Sequence, residues 1–221
     1  TKYPGIAYFK WDCNSPITNI YSAYEKNEQS RLYIDYVRGL YKVLDRIKAK
    51  YPELPMMLCS GGGGRTDYEG LKYFQEMWPS DNTDPTERLF IQWGYSQIFP
   101  TKVQCAHVTT WNKDAGIKYK VNVAMMGKLG FDINLHDISA DELKYCQRSI
   151  KEYNSLKPAI LDGDQYRLVS PYEGNHAATM YVTKDQKEAV VFAFDIYPRF
   201  AEKLYNVVMQ GLNTSATYKV E

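Results

Sequence analysis

Strand-like and helix-like segments alternate along the first 160 or so residues of the chain, and this alternation constrains the fold most. Short apolar runs such as MMLCS and VQCAHVT are separated by longer segments with apolar residues at helical spacing. The clearest of these lies within NEQSRLYIDYVRGLYKVLDRIKAKYPELP, where Pro52 and Pro55 end the helical pattern. An alternation of this kind predicts parallel βαβ units.

Two helix starts are marked by capping residues. Asp84 comes directly before Pro85, with Glu87 at the third helical position, and Ser139 is followed by Glu142 in the same way. These are the residue types of an N-cap and a capping box. We therefore expect helices to begin after Asp84 and after Ser139. Further segments are predicted as a short helix in DYEGLKYFQEMW, a helix in AGIKYKVNVAMMGKLG and a strand in FDINL.

The pattern changes after about residue 160. The runs YRLVSP, TMYVTK and EAVVFAFDI are strand-like, with no helix between them. The polar segment TKDQKE separates the last two runs, which predicts an antiparallel hairpin. We place a domain boundary here, with residues 1–160 in an α/β domain and residues 161–221 at the start of an antiparallel β domain.

The number of βα units limits the architecture. About four or five units fit into the first part, whereas a closed eightfold barrel needs about 250 residues. The first part is therefore either an open doubly wound sheet or the later half of a barrel.

Composition excludes several classes of protein. A net charge of +1 argues against a nucleic-acid partner, and no apolar run approaches the roughly 20 residues of a membrane span. Four cysteines and three histidines lie far apart without ligand spacing, so we expect no metal site. The cellular location is left open between cytoplasm and periplasm.

The stretch YFKWDCN combines an apolar strand with charged residues. We expect a short buried strand in which Phe9 and Trp11 share the packing face. Lys10 and Asp12 would then share the other face, at the carboxyl end of the strand, where barrel enzymes place their active sites. A nearby lysine favours the charged form of an aspartate, which suits a nucleophile. The alternative is an ordinary ion pair at the end of a strand.

Two further stretches carry candidate groups. The glycines of CSGGGGRTD permit close approach of a ligand to the backbone, although a flexible turn is an equal alternative. In WPSDNTD, Asp84 is explained as a helix cap, but Asp81 has no such role. Asp12 and Asp81 are thus two unexplained carboxylates, and a pair of carboxylates is what glycoside hydrolysis requires.

The segments FKWDCN, CSGGGGR and WPSDNTD, in this order, resemble the family 36 α-galactosidases, or melibiases. The likeness continues through IQWGYSQIFP, CAHVT, GFDINLHDIS and DGDQYRLVSPYEGNHAA, and so covers nearly the whole chain. The resemblance implies a (β/α)8 catalytic barrel with a C-terminal antiparallel β domain. It also implies a retaining double displacement without a cofactor.

The resemblance assigns roles to particular residues. Asp12 of the KWD motif corresponds to the nucleophile and Asp81 to the general acid/base. Lys10 and Asn14 match positions that bind sugar hydroxyls. The loop that lines the galactose pocket corresponds to Cys59 and the glycines after it, and Gly62 and Arg65 are included in that substrate-binding set.

The chain departs from the family pattern in its layout. The family has further domains and barrel strands before the KWD motif, which here begins at residue 10. By that layout the chain holds about the fourth to eighth βα units and the start of the C-terminal domain. We therefore expect a fragment that is inactive by itself, taken from a full-length enzyme that is a homo-oligomer.

Several functions stay open at this point. The leading one is hydrolysis of terminal α-galactosyl residues from oligosaccharides such as melibiose and raffinose. The alternatives are a galactosyltransferase of the raffinose-synthase kind and an α-N-acetylgalactosaminidase. A non-catalytic carbohydrate-binding module is the alternative from another class.

Overall fold

The computed structural model describes residues 3–14, 21–111, 114–202 and 206–221. The chain forms two compact units, Thr1–Pro79 and Ser80–Glu221. The alternation of strands and helices is confirmed in both units, and the fold is of the α/β class.

The first unit contains a parallel three-stranded sheet. Its elements are β1 (Phe9–Asp12), α1 (Leu32–Lys50), β2 (Met56–Cys59) and β3 (Glu76–Met77), and β2 is the central strand. All four residues of β2 are buried, because this apolar strand is paired on both sides.

Two expectations for the first unit are wrong. β1 was expected to be buried, but it is an edge strand that pairs with β2 alone among the described strands, and Phe9 is 42% exposed. The segment DYEGLKYFQEMW forms a 3-10 turn, Glu69–Lys72, followed by β3 rather than a short helix. The end of this apolar segment is extended because Met77 pairs with Leu58 of β2.

The second unit continues the alternation and ends in an antiparallel sheet. Its elements are α2 (Pro85–Ser96), β4 (Cys105–Thr109), α3 (Ile117–Met125), β5 (Lys128–Asp132), α4 (Ala140–Asp162), β6 (Asp164–Val169), β7 (His176–Val182) and β8 (Ala189–Asp195). β4 and β5 are parallel. The predicted hairpin is confirmed, since β7 pairs with both β6 and β8 in antiparallel register.

Both predicted helix starts are confirmed. The Asp84 carboxylate accepts hydrogen bonds from the backbone N–H groups of Thr86 and Glu87, and Ser139 forms a complete capping box with Glu142. Because a capped helix end has fewer unsatisfied N–H groups, these local signals fix where α2 and α4 begin.

The strand predicted in FDINL is shifted. β5 spans Lys128–Asp132, so it starts directly after Gly127 and ends before Ile133. The Lys128 N–H donates to the Gln104 carbonyl at 2.7 Å, and Cys105 pairs with Lys128. The register with β4, rather than the apolar run itself, therefore sets the start of this strand.

The main apolar core lies in the second unit. The helices α2, α3 and α4 and the strands β4, β7 and β8 contribute its buried side chains, including Val121, Ile160 and Tyr181. No helix among the described residues is both long and apolar enough to span a membrane.

Candidate active site

Lys10 and Asp12 form an ion pair near the carboxyl end of β1. Lys10 Nζ lies 3.8 Å from Asp12 Oδ2, and the two side chains are 46% and 37% exposed. Lys10 Nζ also lies 5.8 Å from the ring centroid of the buried Trp78. An exposed ion pair contributes only about 0–1 kcal/mol to stability. The pair therefore contributes little to the stability of the fold.

The two faces of β1 are divided as strand geometry predicts. The Lys10–Asp12 contact puts these two side chains on one face, and Phe9 and Trp11 pack against each other with ring centroids 6.0 Å apart. In a strand, alternate side chains lie on the same side. The polar face of β1 is thus separate from its aromatic face.

The register of the sheet brings the ends of β1 and β2 together. Asp12 pairs with Cys59, and the Cys13 N–H donates to the Cys59 carbonyl at 3.3 Å. The Cys59 side chain is 1% exposed. The segment after Asp12 therefore lies against the glycine-rich loop that follows β2.

The glycine-rich loop is a tight turn with defined geometry. Gly61 and Gly62 have φ values of +53° and +80°, a region in which residues with a Cβ are rare. A Cβ on Gly63 would lie 2.9 Å from the Pro79 carbonyl oxygen, and one on Gly64 would lie 2.7 Å from the Ser60 carbonyl oxygen. These close approaches require glycine at positions 63 and 64.

Hydrogen bonds join this loop to the segment that follows Asp12. The Gly61 N–H donates to Asn14 Oδ1 at 2.5 Å, and the Ser60 hydroxyl donates to the Cys13 carbonyl at 2.7 Å. Arg65 Nε donates to the Ser60 hydroxyl at 3.0 Å. The first unit thus brings the predicted residues Lys10, Asp12, Asn14, Cys59, Gly62 and Arg65 into one cluster.

Ser60 is a residue of this cluster that the sequence interpretation missed. Its hydroxyl donates to a backbone carbonyl. Every residue has such a carbonyl, so the sequence does not indicate which one will accept the bond. The only available signal was its position between Cys59 and the glycines.

Asp81 belongs to the second unit, in the loop before α2, and its side chain is exposed. The loop is ordered by hydrogen bonds from the Asn82 N–H to Ser80 Oγ at 3.1 Å and from the Asp84 N–H to Asn82 Oδ1 at 3.0 Å. Asp84 is used as the helix cap. The cap of α2 is thus Asp84 and not Asp81, as the sequence predicted.

The same loop is connected to the end of β4. The hydroxyl groups of Thr83 and Thr109 lie 2.8 Å apart, at hydrogen-bonding distance. Lys120 Nζ donates to the carbonyls of Thr109 and Trp111 at 3.2 and 2.7 Å, and burial lowers the pKa of this ammonium group. The loop that carries Asp81 is thus joined to the end of β4 through Thr83 and Thr109.

Metal-ligating groups do not cluster in the part of the chain that the structure describes. No set of three or more histidine, cysteine, aspartate or glutamate side chains lies close enough there to hold an ion. The four cysteines are free thiols.

Comparison with known families gives two matches. The Melibiase family model matches residues 2–163, and the model of the glycosyl hydrolase family 36 C-terminal domain matches residues 176–221.

Individual relatives point the same way. The chain is 36% identical to alpha-galactosidase 1 of Pediococcus pentosaceus over 97% of its length, and 35% identical to alpha-galactosidase AgaA of Geobacillus stearothermophilus over 98%. It spans about 30% of the length of both relatives.

Solved structures give a close superposition. The crystal structure of the family 36 α-galactosidase AgaA from Geobacillus stearothermophilus has a TM-score of 0.89 and 34% identity, covering 95% of this chain and 30% of its own. A variant of the same enzyme in complex with raffinose has the same TM-score, identity and coverage.

Proposed function

We propose a function on the premise that this chain belongs to the melibiase family, whose model matches residues 2–163 of its 221. The protein that contains it is a retaining α-galactosidase. It hydrolyses terminal α-galactosyl residues from oligosaccharides such as melibiose and raffinose. The raffinose complex of an AgaA variant supports this substrate class.

Asp12 is the nucleophile of the proposed reaction. Its carboxylate attacks the anomeric carbon and forms a covalent galactosyl intermediate while the bond to the leaving oxygen breaks. The observation that carries the proposal is the exposed Lys10–Asp12 pair at the strand end, next to a glycine loop bound to Asn14. The Lys10 ammonium group lies 3.8 Å from this carboxylate.

Asp81 is the general acid and base. It protonates the leaving oxygen in the first step and then takes a proton from the water that attacks the intermediate. This chemistry requires its carboxyl group about 5–5.5 Å from that of Asp12. Its exposure, together with the use of Asp84 as the cap, supports this assignment.

The sugar is bound by the remaining residues of the first-unit cluster. Lys10 donates to a hydroxyl group of galactose. The Asn14 carboxamide oxygen accepts from Gly61, so its NH2 group is the part that we assign to the sugar. Cys59 is buried and forms the floor of the pocket, while Gly62 and Arg65 belong to its wall.

The remaining assignments follow from the family layout. β1, β2 and β5 correspond to the fourth, fifth and eighth strands of a (β/α)8 barrel. Residues 1–160 belong to that barrel, and 161–221 to the C-terminal β domain. The 221 residues alone are inactive, since they span about 30% of relatives' length, and the full-length enzyme is a homo-oligomer without a cofactor.

Azide rescue tests both carboxylate roles in the full-length protein. In Asp12→Ala, azide occupies the space of the lost carboxylate and attacks from its side, so we expect β-galactosyl azide from an activated aryl α-galactoside. In Asp81→Ala, azide replaces water in the second step without needing a base, so we expect the α-azide. Unchanged hydrolysis by Asp12→Ala would refute the nucleophile assignment.

Leaving-group dependence gives an independent test of Asp81. A good leaving group needs less protonation, so Asp81→Ala should lower turnover of melibiose more than that of an activated aryl α-galactoside. Equal losses on the two substrates would contradict the acid role. An assay of free galactose against transfer products from raffinose separates hydrolysis from galactosyl transfer.

A further inference from the structure

Ser60 is the point at which the glycine-rich loop holds the segment next to Asp12. Its hydroxyl donates to the Cys13 carbonyl at 2.7 Å and accepts from Arg65 Nε at 3.0 Å. A hydroxyl that donates and accepts at the same time has one fixed rotamer, and each bond polarises the other. The carbonyl that it holds belongs to the residue directly after Asp12.

Arg65 is held in turn by helix α1. One terminal nitrogen of its guanidinium group donates to the hydroxyl of Tyr36, and its central carbon lies 5.0 Å from the centroid of the Tyr36 ring. The planar guanidinium group offers donors in fixed directions. It therefore transmits the position of Tyr36 to the Ser60 hydroxyl.

We propose that Tyr36, Arg65 and Ser60 form a positioning chain that fixes the backbone after the nucleophile Asp12. This inference rests on the proposed function. It assigns Ser60 and Tyr36 to the machinery for the first time, and it makes Arg65 a residue that acts through Ser60. A displacement of about 1 Å at a reacting group can cost about a hundredfold in rate, so support of this kind affects turnover.

The chain makes a kinetic prediction that differs from that of a sugar contact. A residue that binds galactose equally in the ground and transition states changes KM when it is lost. A residue that sets the direction of attack changes kcat with little effect on KM. The positioning chain should therefore lower kcat selectively.

The test uses the full-length protein with an aryl α-galactoside as substrate. We expect Ser60→Ala to lower kcat about tenfold with KM within about twofold of wild type. Ser60→Thr, which keeps the hydroxyl, should restore kcat to within about threefold. Arg65→Lys keeps the charge but loses the fork of donors. The double variant Ser60→Ala/Arg65→Lys should lower kcat no more than the more impaired single variant does, because both changes break the same positioning chain.

Tyr73→Phe is the matched control for Tyr36→Phe. The Tyr73 hydroxyl donates to Asp45 of α1 at 2.7 Å. Its removal therefore also breaks a hydrogen bond to this helix, but Tyr73 does not belong to the positioning chain. We expect Tyr36→Phe to lower kcat about threefold and Tyr73→Phe to leave kcat unchanged. Thermal unfolding of every variant shows which ones are folded. If Ser60→Ala does not fold, the kinetics of Tyr36→Phe and Ser60→Thr test the inference instead.

The outcomes separate this inference from the proposed function. Wild-type kcat in Ser60→Ala, or losses that multiply in the double variant, would overturn the positioning chain while the enzyme remains an α-galactosidase. A selective rise in KM would point to a role of Ser60 and Arg65 in sugar binding and would also overturn it. A wild-type protein that cleaves no α-galactoside would refute the proposed function and this inference with it.

Discussion

Replacing Asp84 by alanine separates the structural aspartate of the SDNTD segment from Asp81, the proposed general acid/base. The Asp84 carboxylate accepts hydrogen bonds from the N–H groups of Thr86 and Glu87, at 2.8 and 3.0 Å. Loss of an N-cap of this type costs about 1 kcal/mol and up to about 2. The lost interaction of the carboxylate with the helix dipole adds about 0.3–1 kcal/mol. We therefore expect Asp84→Ala to lower the free energy of unfolding by about 1.3–3 kcal/mol.

Urea unfolding of the full-length protein measures this change, with Asp84→Asn as the control. Asparagine caps helices about as well as aspartate but carries no charge, so this variant should lose only the dipole contribution of about 0.3–1 kcal/mol. Asp81→Ala should be equally mild in stability, as exposed substitutions usually are, but should lose about 10²–10⁴-fold in turnover of melibiose. An Asp84→Ala variant as stable as wild type, or an Asp81→Ala variant that is strongly destabilised, would refute this division of roles.

Three further perturbations test the structure away from the carboxylates. Tyr73 donates a hydrogen bond to Asp45, and this bond together with burial raises the pKa of Tyr73 to about 12. An unfolded tyrosine has a pKa of about 10. Between about pH 10 and pH 12 the native state therefore binds more protons than the unfolded state. The contribution of the Tyr73 hydroxyl to the free energy of unfolding is complete below about pH 10 and is lost as the pH rises to about 12. Urea unfolding across this range should show a smaller loss in Tyr73→Phe, and identical slopes would contradict the assignment. Gly163→Ala should cost about 1–3 kcal/mol by overpacking, because its Cβ would lie 2.3 Å from the Ala159 carbonyl oxygen; unchanged thermal unfolding would argue against this packing. Ser139→Ala should cost about 1 kcal/mol through loss of the capping box, measured by urea unfolding, and Ser139→Thr should restore most of it.

Features that depend on neighbours in the sequence could be predicted. The caps at Asp84 and Ser139 were identified because the N-cap and its partner lie within three residues of each other. The β7–β8 hairpin was identified because a short polar segment separates two apolar runs. In each case the residues that determine the local structure lie close together in the sequence.

Features that depend on pairing between strands far apart in the sequence could not be predicted. Tyr73, Phe74, Met77 and Trp78 are buried at spacings that also suit a helix, and only the parallel pairing of Leu58 with Met77 makes the end of this segment a strand. The exposure of β1 likewise depends on which strands lie beside it, because its apolar residues are the same in an edge strand and in a central one.

The candidate site shows the same limit more sharply. The resemblance named Asp12, Asn14 and the glycines, but the bond between Ser60 and the Cys13 carbonyl joins residues 47 positions apart. It exists because Asp12 and Cys59 are in register, so that the two following loops meet. A register shift of one residue would reverse the faces of β1 and remove both the ion pair and this bond.

The two carboxylates are supported by different kinds of interaction, and this difference has a kinetic consequence. Asp12 depends on a sheet register and on hydrogen bonds to the backbone that follows it, whereas Asp81 lies in a loop set by the cap of α2. In the proposed double displacement, Asp12 would form the bond to carbon and Asp81 would transfer the proton. Weakened support for Asp12 should slow substrates with good and poor leaving groups alike, but a displaced Asp81 should slow poor leaving groups more. The ratio of melibiose to aryl galactoside turnover should therefore stay constant in Ser60→Ala and fall in Asp84→Ala, and a fall of equal size in both variants would show that the two supports are not separate.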